Sequence, residues 1–416
     1  MLTLPADQNR VDVNAFGMAS LGVLTAAIAV GIIGNSFAIP LIVQHFGVSV
    51  AQAGLAPTLE HGGLALTCLL YAPYVPRFDA RRVCLIALVG LVILNLATIF
   101  APNFETLLVC RALAGLVAGT VYVTTSSVAG RTTAPEKCFA TLLCSTGSLG
   151  ILSSLVLPQA KNIGPLIGIS PLASIYALYI PVLLIGFLFC LKMPRPPILS
   201  ARNAETGARE LTPLRELPLS TWGLLFGMSF MAFGTGALGT YLVSLGTEQV
   251  GLAVEKVGLV MMPGAIIRVV LPFVGAYISL RFRAVPFAAV VLSADAVLGM
   301  LLSHTTTWLA FAILAPILTS SYSLFSPVLL GTMSRLDPSG RIAAIHSPFF
   351  LGASSLAALA GGAVSVKGDY SAIGYVVVFG MAMSALTLYR GLRTADQQRF
   401  GGATGAPVTA TNAVLD

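Results

Sequence analysis

Six ionisable side chains stand inside stretches that are otherwise apolar: Glu60, His61, Arg111, Arg268, Asp295 and His346. An arginine at the centre of a membrane helix costs about 2.5–3.5 kcal/mol on insertion scales, so such groups face protein or water. They are the first candidates for chemistry. Arg111 is the plainest case, because it lies within Asn103–Ser127, NFETLLVCRALAGLVAGTVYVTTSS. At about 1.5 Å per residue that stretch is long enough to cross a hydrocarbon layer. Gly115, Ala118, Tyr122 and Thr125 follow Arg111 at steps of four, three, four and three, so they share its face. Val109, Leu113 and Val117 lie on the other side and suit lipid or bundle packing.

Spacing suggests partners for these charges. Glu60 and Arg111 each lie about seven residues past the outer start of their spans, roughly 10 Å deep, and are expected to pair. Burial raises a carboxyl's proton affinity and a neighbouring guanidinium lowers it. The pair can therefore load and release a proton as its surroundings change, or it can be a static tie between helices; both readings stand. His61 points about 100° away round the helix, where it shares the proton or simply packs. Arg268 lies fourteen residues before Phe282, at a turn, and Asp295 thirteen after it. An antiparallel hairpin brings them to one depth and predicts a structural ion pair, since mutual neutralisation is the least costly outcome. The alternative turns Arg268 towards a central cavity, where it attracts an anion. His346, close to the start of its span, reads as an interface residue. Asn35, Tyr122, Thr125, Tyr241 and Tyr322 can orient a small organic ligand in an apolar cavity. The plainer reading is hydrogen bonding between helices, worth about 0.6 kcal/mol apiece. Gly31 and Gly34 permit close backbone approach beside Asn35, and Pro40 can bend the span.

The elements that position these residues follow from composition. The 416 residues are 56% hydrophobic and only 9% charged, against about 25% charged in soluble domains. This is the make-up of a polytopic, all-α membrane protein. Twelve apolar spans are expected at 16–43, 53–75, 83–100, 104–129, 139–158, 172–191, 222–244, 257–279, 285–303, 308–333, 342–364 and 372–389. The first is too long for a signal peptide and shows no small-residue cleavage pattern. Residues 192–221, with five prolines and charges of both signs, read as a cytoplasmic linker between bundles at 1–191 and 222–390. Residues 391–416 read as a disordered tail. Eighteen of the 23 Lys and Arg lie at the N-terminus and in every second loop, against three in the alternate loops, which puts both termini in the cytoplasm. The net charge of +7 is spread over short loops without a cluster, so nucleic acid is not an expected partner. Six cysteines lie mostly in apolar runs, with no metal-ligand spacing, and read as buried small hydrophobes.

The halves also repeat. At an offset of 204, Gly54-Leu55 falls on Gly258-Leu259, Arg77-Phe78-x-Ala80 on Arg281-Phe282-x-Ala284, and Arg131 and Lys137 on Arg335 and Arg341. One ungapped register through all of these argues for two six-span units of like topology.

These residues resemble the major facilitator superfamily over nearly the whole chain. Arg111, Gly115 and Gly119 match its R-x-x-x-G-x-x-x-G pattern in the fourth span. Pro76–Arg82, PRFDARR, is similar to its D-R-F-G-R-R loop, with Pro76 at the acidic position and Asp79 at the glycine position. Val50–Leu55 and Asn103–Gly115 most resemble the twelve-span drug- and sugar-efflux antiporters, although the G-P-x-x-G-G signature of their fifth span is absent from Thr146–Ala160. The resemblance implies two six-helix bundles rocking about a cavity lined by spans one, four, seven and ten, with the fourth-span arginine in proton coupling or substrate contact. It implies proton-driven carriage of a small organic molecule, by efflux or, alternatively, by uptake of an organic anion with protons. A monomer in a bacterial inner membrane is expected, with a proton gradient in place of any cofactor or metal. Arg77, Arg81 and Arg82, with Asp79 as the nearest acid, set orientation and are candidates to latch onto helix C-termini of the other half. An ATP-driven pump is disfavoured because G-x-x-x-x-G-K-[ST] does not occur. A membrane enzyme lacks a nucleophile–base or metal set, and a channel lacks a filter stretch.

Overall fold

The computed structural model describes residues 12–132, 135–166, 168–195, 219–336, 341–366 and 368–400. Among these residues, twelve helices of 17 residues or more carry the fold. The first bundle comprises α1 (Ala15–Phe46), α2 (Leu55–Tyr71), α3 (Ala80–Ile99), α4 (Phe104–Gly130), α5 (Pro135–Val156) and α6 (Pro171–Cys190). The second comprises α7 (Leu219–Ser244), α8 (Val254–Arg281), α9 (Ala284–Ser303), α10 (Trp308–Leu336), α11 (Arg341–Val364) and α12 (Ile373–Phe400). Eleven are long and apolar enough to cross a membrane. The twelfth, α2, is a 17-residue helix preceded by the turn Val50–Ala53 and continued by a 3-10 stretch, Ala72–Arg77.

Local chemistry sets the helix starts. Asn14, Asp79, Asn103 and Ser170 each accept a bond from the free backbone N–H groups of α1, α3, α4 and α6. Ser49 and Gln52 form a reciprocal capping box ahead of α2. The side chains facing outwards are those a hydrocarbon solvent tolerates: on α3, Ile86, Val89, Ile93 and Leu96 recur at helical spacing and are exposed. Val109 and Leu113 are likewise exposed on α4, opposite the buried Arg111.

Small residues decide how closely helices approach. A Cβ on Gly115 would overlap the Glu60 carbonyl, and one on Gly119 would stand 2.7 Å from the Leu64 carbonyl oxygen, so α4 lies directly against the α2 backbone. The two halves meet through α2 against α11, α5 against α8, and α1 against α7. At the outer end of the first contact, Gly54 faces Ala358, and a Cβ on it would overlap the Tyr241 hydroxyl; Ser355 Oγ donates to the Thr58 carbonyl at 2.7 Å. At the second, Gly258 abuts the Ser154 carbonyl and the Pro158 ring. Gly54 and Gly258 are the residues paired by the 204-residue repeat, so the repeat-related glycines make the repeat-related contacts between halves. Lys161 Nζ and Glu255 Oε1, 2.9 Å apart, join the halves at the same end.

Two expectations are corrected. The segment after residue 390 is not a tail as far as Phe400, because α12 continues to it. Leu392 and Ala395 are buried there, and Asp396 accepts from the Ala284 and Val285 N–H groups at 2.7 and 2.9 Å, capping α9 from a distance. Residues 401–416, and 196–218 of the expected linker, lie outside the described residues. The cytoplasmic arginines make their contacts within the first half: Arg81 donates to the Met193 carbonyl, Arg82 sits 3.8 Å from Asp79, and Arg77 lies over the Tyr74 ring. Among the described residues, no contact of these arginines with the other half is seen. Asp79 is spent on capping α3 and holding Arg82.

Five of the six free cysteines are buried, so a thiol-reactive dye reports unfolding. Gly115→Ala is expected to lower the melting temperature in such an assay, at an overpacking cost of about 1–3 kcal/mol. Gly90→Ala, whose Cβ meets Val117 at an ordinary 3.5 Å, leaves it unchanged.

Candidate functional site

Arg111 is 1% exposed and Glu60 6% exposed, both in the interior of the first bundle. Arg111 Nη1 stands 3.6 Å from Glu60 Oε1, so the pair expected from depth is formed. It is a loose, single contact. The closer bonds of the guanidinium go to neutral groups on α3: Nη2 donates to Thr98 Oγ1 at 2.7 Å and to Asn95 Oδ1 at 3.2 Å. Both acceptors are oriented by their own helix. The Asn95 amide NH2 is bonded to the Leu91 carbonyl and the Thr98 hydroxyl donates to the Leu94 carbonyl, which leaves their oxygen lone pairs facing Arg111. The Tyr176 ring, 4.6 Å from the guanidinium carbon, supplies a π face from α6. Arg111 thus ties α2, α3, α4 and α6 together.

Glycines make room for the carboxylate. A Cβ on Gly31 of α1 would overlap Glu60 Oε1, and one on Gly34 would overlap the Tyr179 hydroxyl. The neighbouring His61 turns to α1, where its Nε2 lies 3.4 Å from Asn35 Nδ2. Two candidates, Asn35 and His61, are thus brought together beside Glu60, near the contact with α11. Thr125 pairs with Thr25 at 3.3 Å inside the first bundle.

A second group gathers where the bundles face each other. Tyr322 of α10 places its hydroxyl 3.5 Å from His346 Nε2 and its ring 4.8 Å from that of Phe350. Tyr122 of α4 reaches Ser347, the residue after His346 on α11. His346 is thus the interface residue that its position suggested.

Arg268 and Asp295 do not form the expected ion pair. Asp295, buried on α9, accepts from Ser321 Oγ of α10 at 2.9 Å instead. Depth was matched, but α8 packs on α10 and α5, while α9 packs on α12 and α10. The two helices thus have different neighbours, and Asp295 finds its partner on α10. On α8 the residues Leu259, Ile266, Ile267, Val270, Phe273 and Val274 are exposed and form one arc. Arg268 lies on the opposite arc, between the faces that meet α5 and α10, and its buried Nε has no hydrogen-bond partner. Tyr241 is also corrected. It is wholly buried at the outer junction of α7, α2 and α11, donates to the Ala358 carbonyl at 2.8 Å, and is packed among Gly54, Gly361 and Gly362. It closes the space between helices rather than lining a cavity.

The sequence profile of the Major Facilitator Superfamily matches residues 19–361. The chain belongs to this superfamily. Its members are transport proteins and not enzymes, and the many long apolar helices make this chain a multi-pass membrane protein of that superfamily. A stretch of 85 residues is 38% identical to the gallate transporter of Pseudomonas putida, covering 20% of this chain and 18% of that relative's length. Two structures of a bacterial homolog of the human lysosomal transporter Spinster, both inward-facing, one occupied and one unoccupied, superpose with TM-scores of 0.68. They cover 94% and 95% of this chain and 97% and 100% of theirs, at 14% identity, a likeness of fold.

The superfamily motif drew attention to Arg111 but not to the groups that hold it. Asn95, Thr98, Tyr176 and Tyr179 stood in ordinary apolar runs; the one available signal was polar spacing of three residues on α3 and on α6. Because Arg268 and Asp295 have separate surroundings, Arg268→Ala and Asp295→Ala are expected to act additively on thermal stability, within about 0.5 kcal/mol. Rescue of either single change in the double variant would show that the pair forms after all.

Proposed function

We propose that this transporter is a proton-coupled secondary carrier of a small organic anion, working by alternating access in a bacterial inner membrane. The observation that carries the coupling is the set of neutral acceptors around Arg111. Protonating a carboxylate in an isolated buried pair leaves an uncompensated guanidinium, which is costly. Here Thr98, Asn95 and the Tyr176 ring contact Arg111 independently of Glu60. Glu60 can therefore be carried charged or neutral, as a moving proton requires. Arg268 supports an anionic cargo: a cation in mid-span, opposite the lipid-facing arc, with a donor free of protein partners. The match to a gallate transporter, a carrier named for an organic anion, points the same way.

Efflux by proton antiport is the second reading, resting on the likeness of Val50–Leu55 and Asn103–Gly115 to that branch. Purified protein in proteoliposomes separates the two. For the anion symporter, an acid exterior drives labelled gallate or benzoate inwards, and a protonophore abolishes the accumulation. Antiport gives the opposite dependence on gradient direction. In either case Glu60→Gln is expected to retain exchange of substrate across the membrane while losing uphill transport. Uphill transport equal to wild type in that variant would end the coupling role. Arg268→Ala is expected to raise the half-saturating concentration of the anion at least tenfold, the equivalent of about 1.4 kcal/mol.

A further inference from the structure

Among the described residues, five buried polar atoms of the first bundle have no hydrogen-bond partner; besides His61 Nδ1, these are Glu60 Oε2, Arg111 Nε, Tyr176 Oη and Tyr179 Oη, which lie together. Each belongs to a side chain more than nine-tenths buried. Three of these residues, Glu60, Arg111 and Tyr179, line one small cavity together with Gly31 and Asn95, and its volume is about 20 Å³. Tyr176 adjoins it, with its ring on Arg111 and edge-on to Tyr179 at 5.7 Å. A buried polar group left unbonded costs about 1–3 kcal/mol, and a space of roughly 10–15 Å³ with two or more polar partners is enough for one water. Larger ligands do not fit.

We propose that this cavity is a binding site for a single water molecule that links the Glu60 carboxylate to Arg111 and Tyr179, with Tyr179 as the positioning residue that sets the proton affinity of Glu60. The inference rests on the proton-coupling reading above and adds to it the medium through which the proton is exchanged. With Glu60 ionised, the Tyr179 O–H donates to the water and the water donates to Oε2. A proton arriving as hydronium at the water passes to Oε2, leaving neutral water and a neutral carboxylic acid. The new O–H then donates back to the water, which donates in turn to Tyr179 Oη, whose hydroxyl rotates and loses no proton. The charged and titratable groups facing Glu60 are few. From α4 comes Arg111 and from α6 come Tyr176 and Tyr179. On α2 itself His61 turns to Asn35; α3 presents Asn95 and Thr98, α1 presents Gly31, and α11 presents Ser354 and Ser355, all uncharged. Gly34 belongs to the device, because a Cβ there would occupy the place of the Tyr179 hydroxyl.

Infrared difference spectra of the full chain in lipid, recorded across a pH titration, test the proposal. Wild type is expected to show a carboxylic C=O band that Glu60→Gln removes. Donation to a carboxylate favours the ionised form, so Tyr179→Phe should make Glu60 easier to protonate. The band should titrate about half to one pH unit more alkaline, the worth of one hydrogen bond. It should also move to higher frequency, as a less strongly bonded acid group does. The pH dependence of uphill transport should shift in the same direction. Gly34→Ala, which displaces the hydroxyl without removing it, should shift the band likewise and serves if Tyr179→Phe does not fold. A purely structural Tyr179 lowers the melting temperature and leaves the titration and band position at wild-type values; that result, with the band still abolished by Glu60→Gln, overturns this inference alone. Absence of any band sensitive to Glu60→Gln overturns the coupling reading and this inference together.

Discussion

A guanidinium buried in a hydrocarbon-solvated bundle has to be given acceptors, and the first half of this protein is arranged around meeting that demand at Arg111. Two polar residues on α3, one aromatic face on α6 and one carboxylate on α2 converge on it. Each must be brought within a few ångströms, which fixes how four helices are rotated. Gly115 and Gly119 let α4 meet the α2 backbone closely enough for the Glu60 contact. Remove any of these small residues and the charge is stranded. Because most of the acceptors are neutral, the arrangement that stabilises the fold is also the one on which the proposed proton site at Glu60 rests. Structural tie and proton site, posed as alternatives by the spacing, are compatible here.

The meeting of the halves obeys a different constraint. Where two backbones must cross closely and later separate, glycine gives contact area without interlocking side chains. Gly54 and Gly258, related by the internal repeat, take this part on the two sides of the molecule. Around them stand a few specific polar contacts, such as Lys161 with Glu255 and Ser355 with the Thr58 carbonyl. Such a junction is tight but has few bonds to break, which suits a contact made in one state of a carrier and released in the other.

The cost of polar groups in lipid explains which expectations held. Helix number and the lipid-facing character of Val109 and Leu113 depend on composition and on the 3.6-residue period alone. The Glu60–Arg111 pair was also legible, because α2 and α4 share a glycine-lined contact and equal depth on two touching faces leaves little freedom. The same reasoning failed for Arg268 and Asp295. Equal depth is a property of a hairpin, whereas the direction in which each side chain points is set by third helices, here α5, α10 and α12. Tyr241 misled for the same reason: a polar aromatic in a lining span can equally be the plug between three helices.

Sequence by itself determined the solvent, the spans, the repeat and the presence of a buried cation needing partners, since each follows from transfer cost or from periodicity along one chain. It also reached the superfamily, through residues at fixed spacing on α4. Only the tertiary structure decided that Asn95, Thr98 and Tyr176 are those partners, that Tyr179 closes the space over Gly34, and that α12 runs on to cap α9 with Asp396. These residues come from separate helices and share no spacing rule. Their meeting depends on how the helices are rotated against one another, and that rotation is a property of the whole packed bundle.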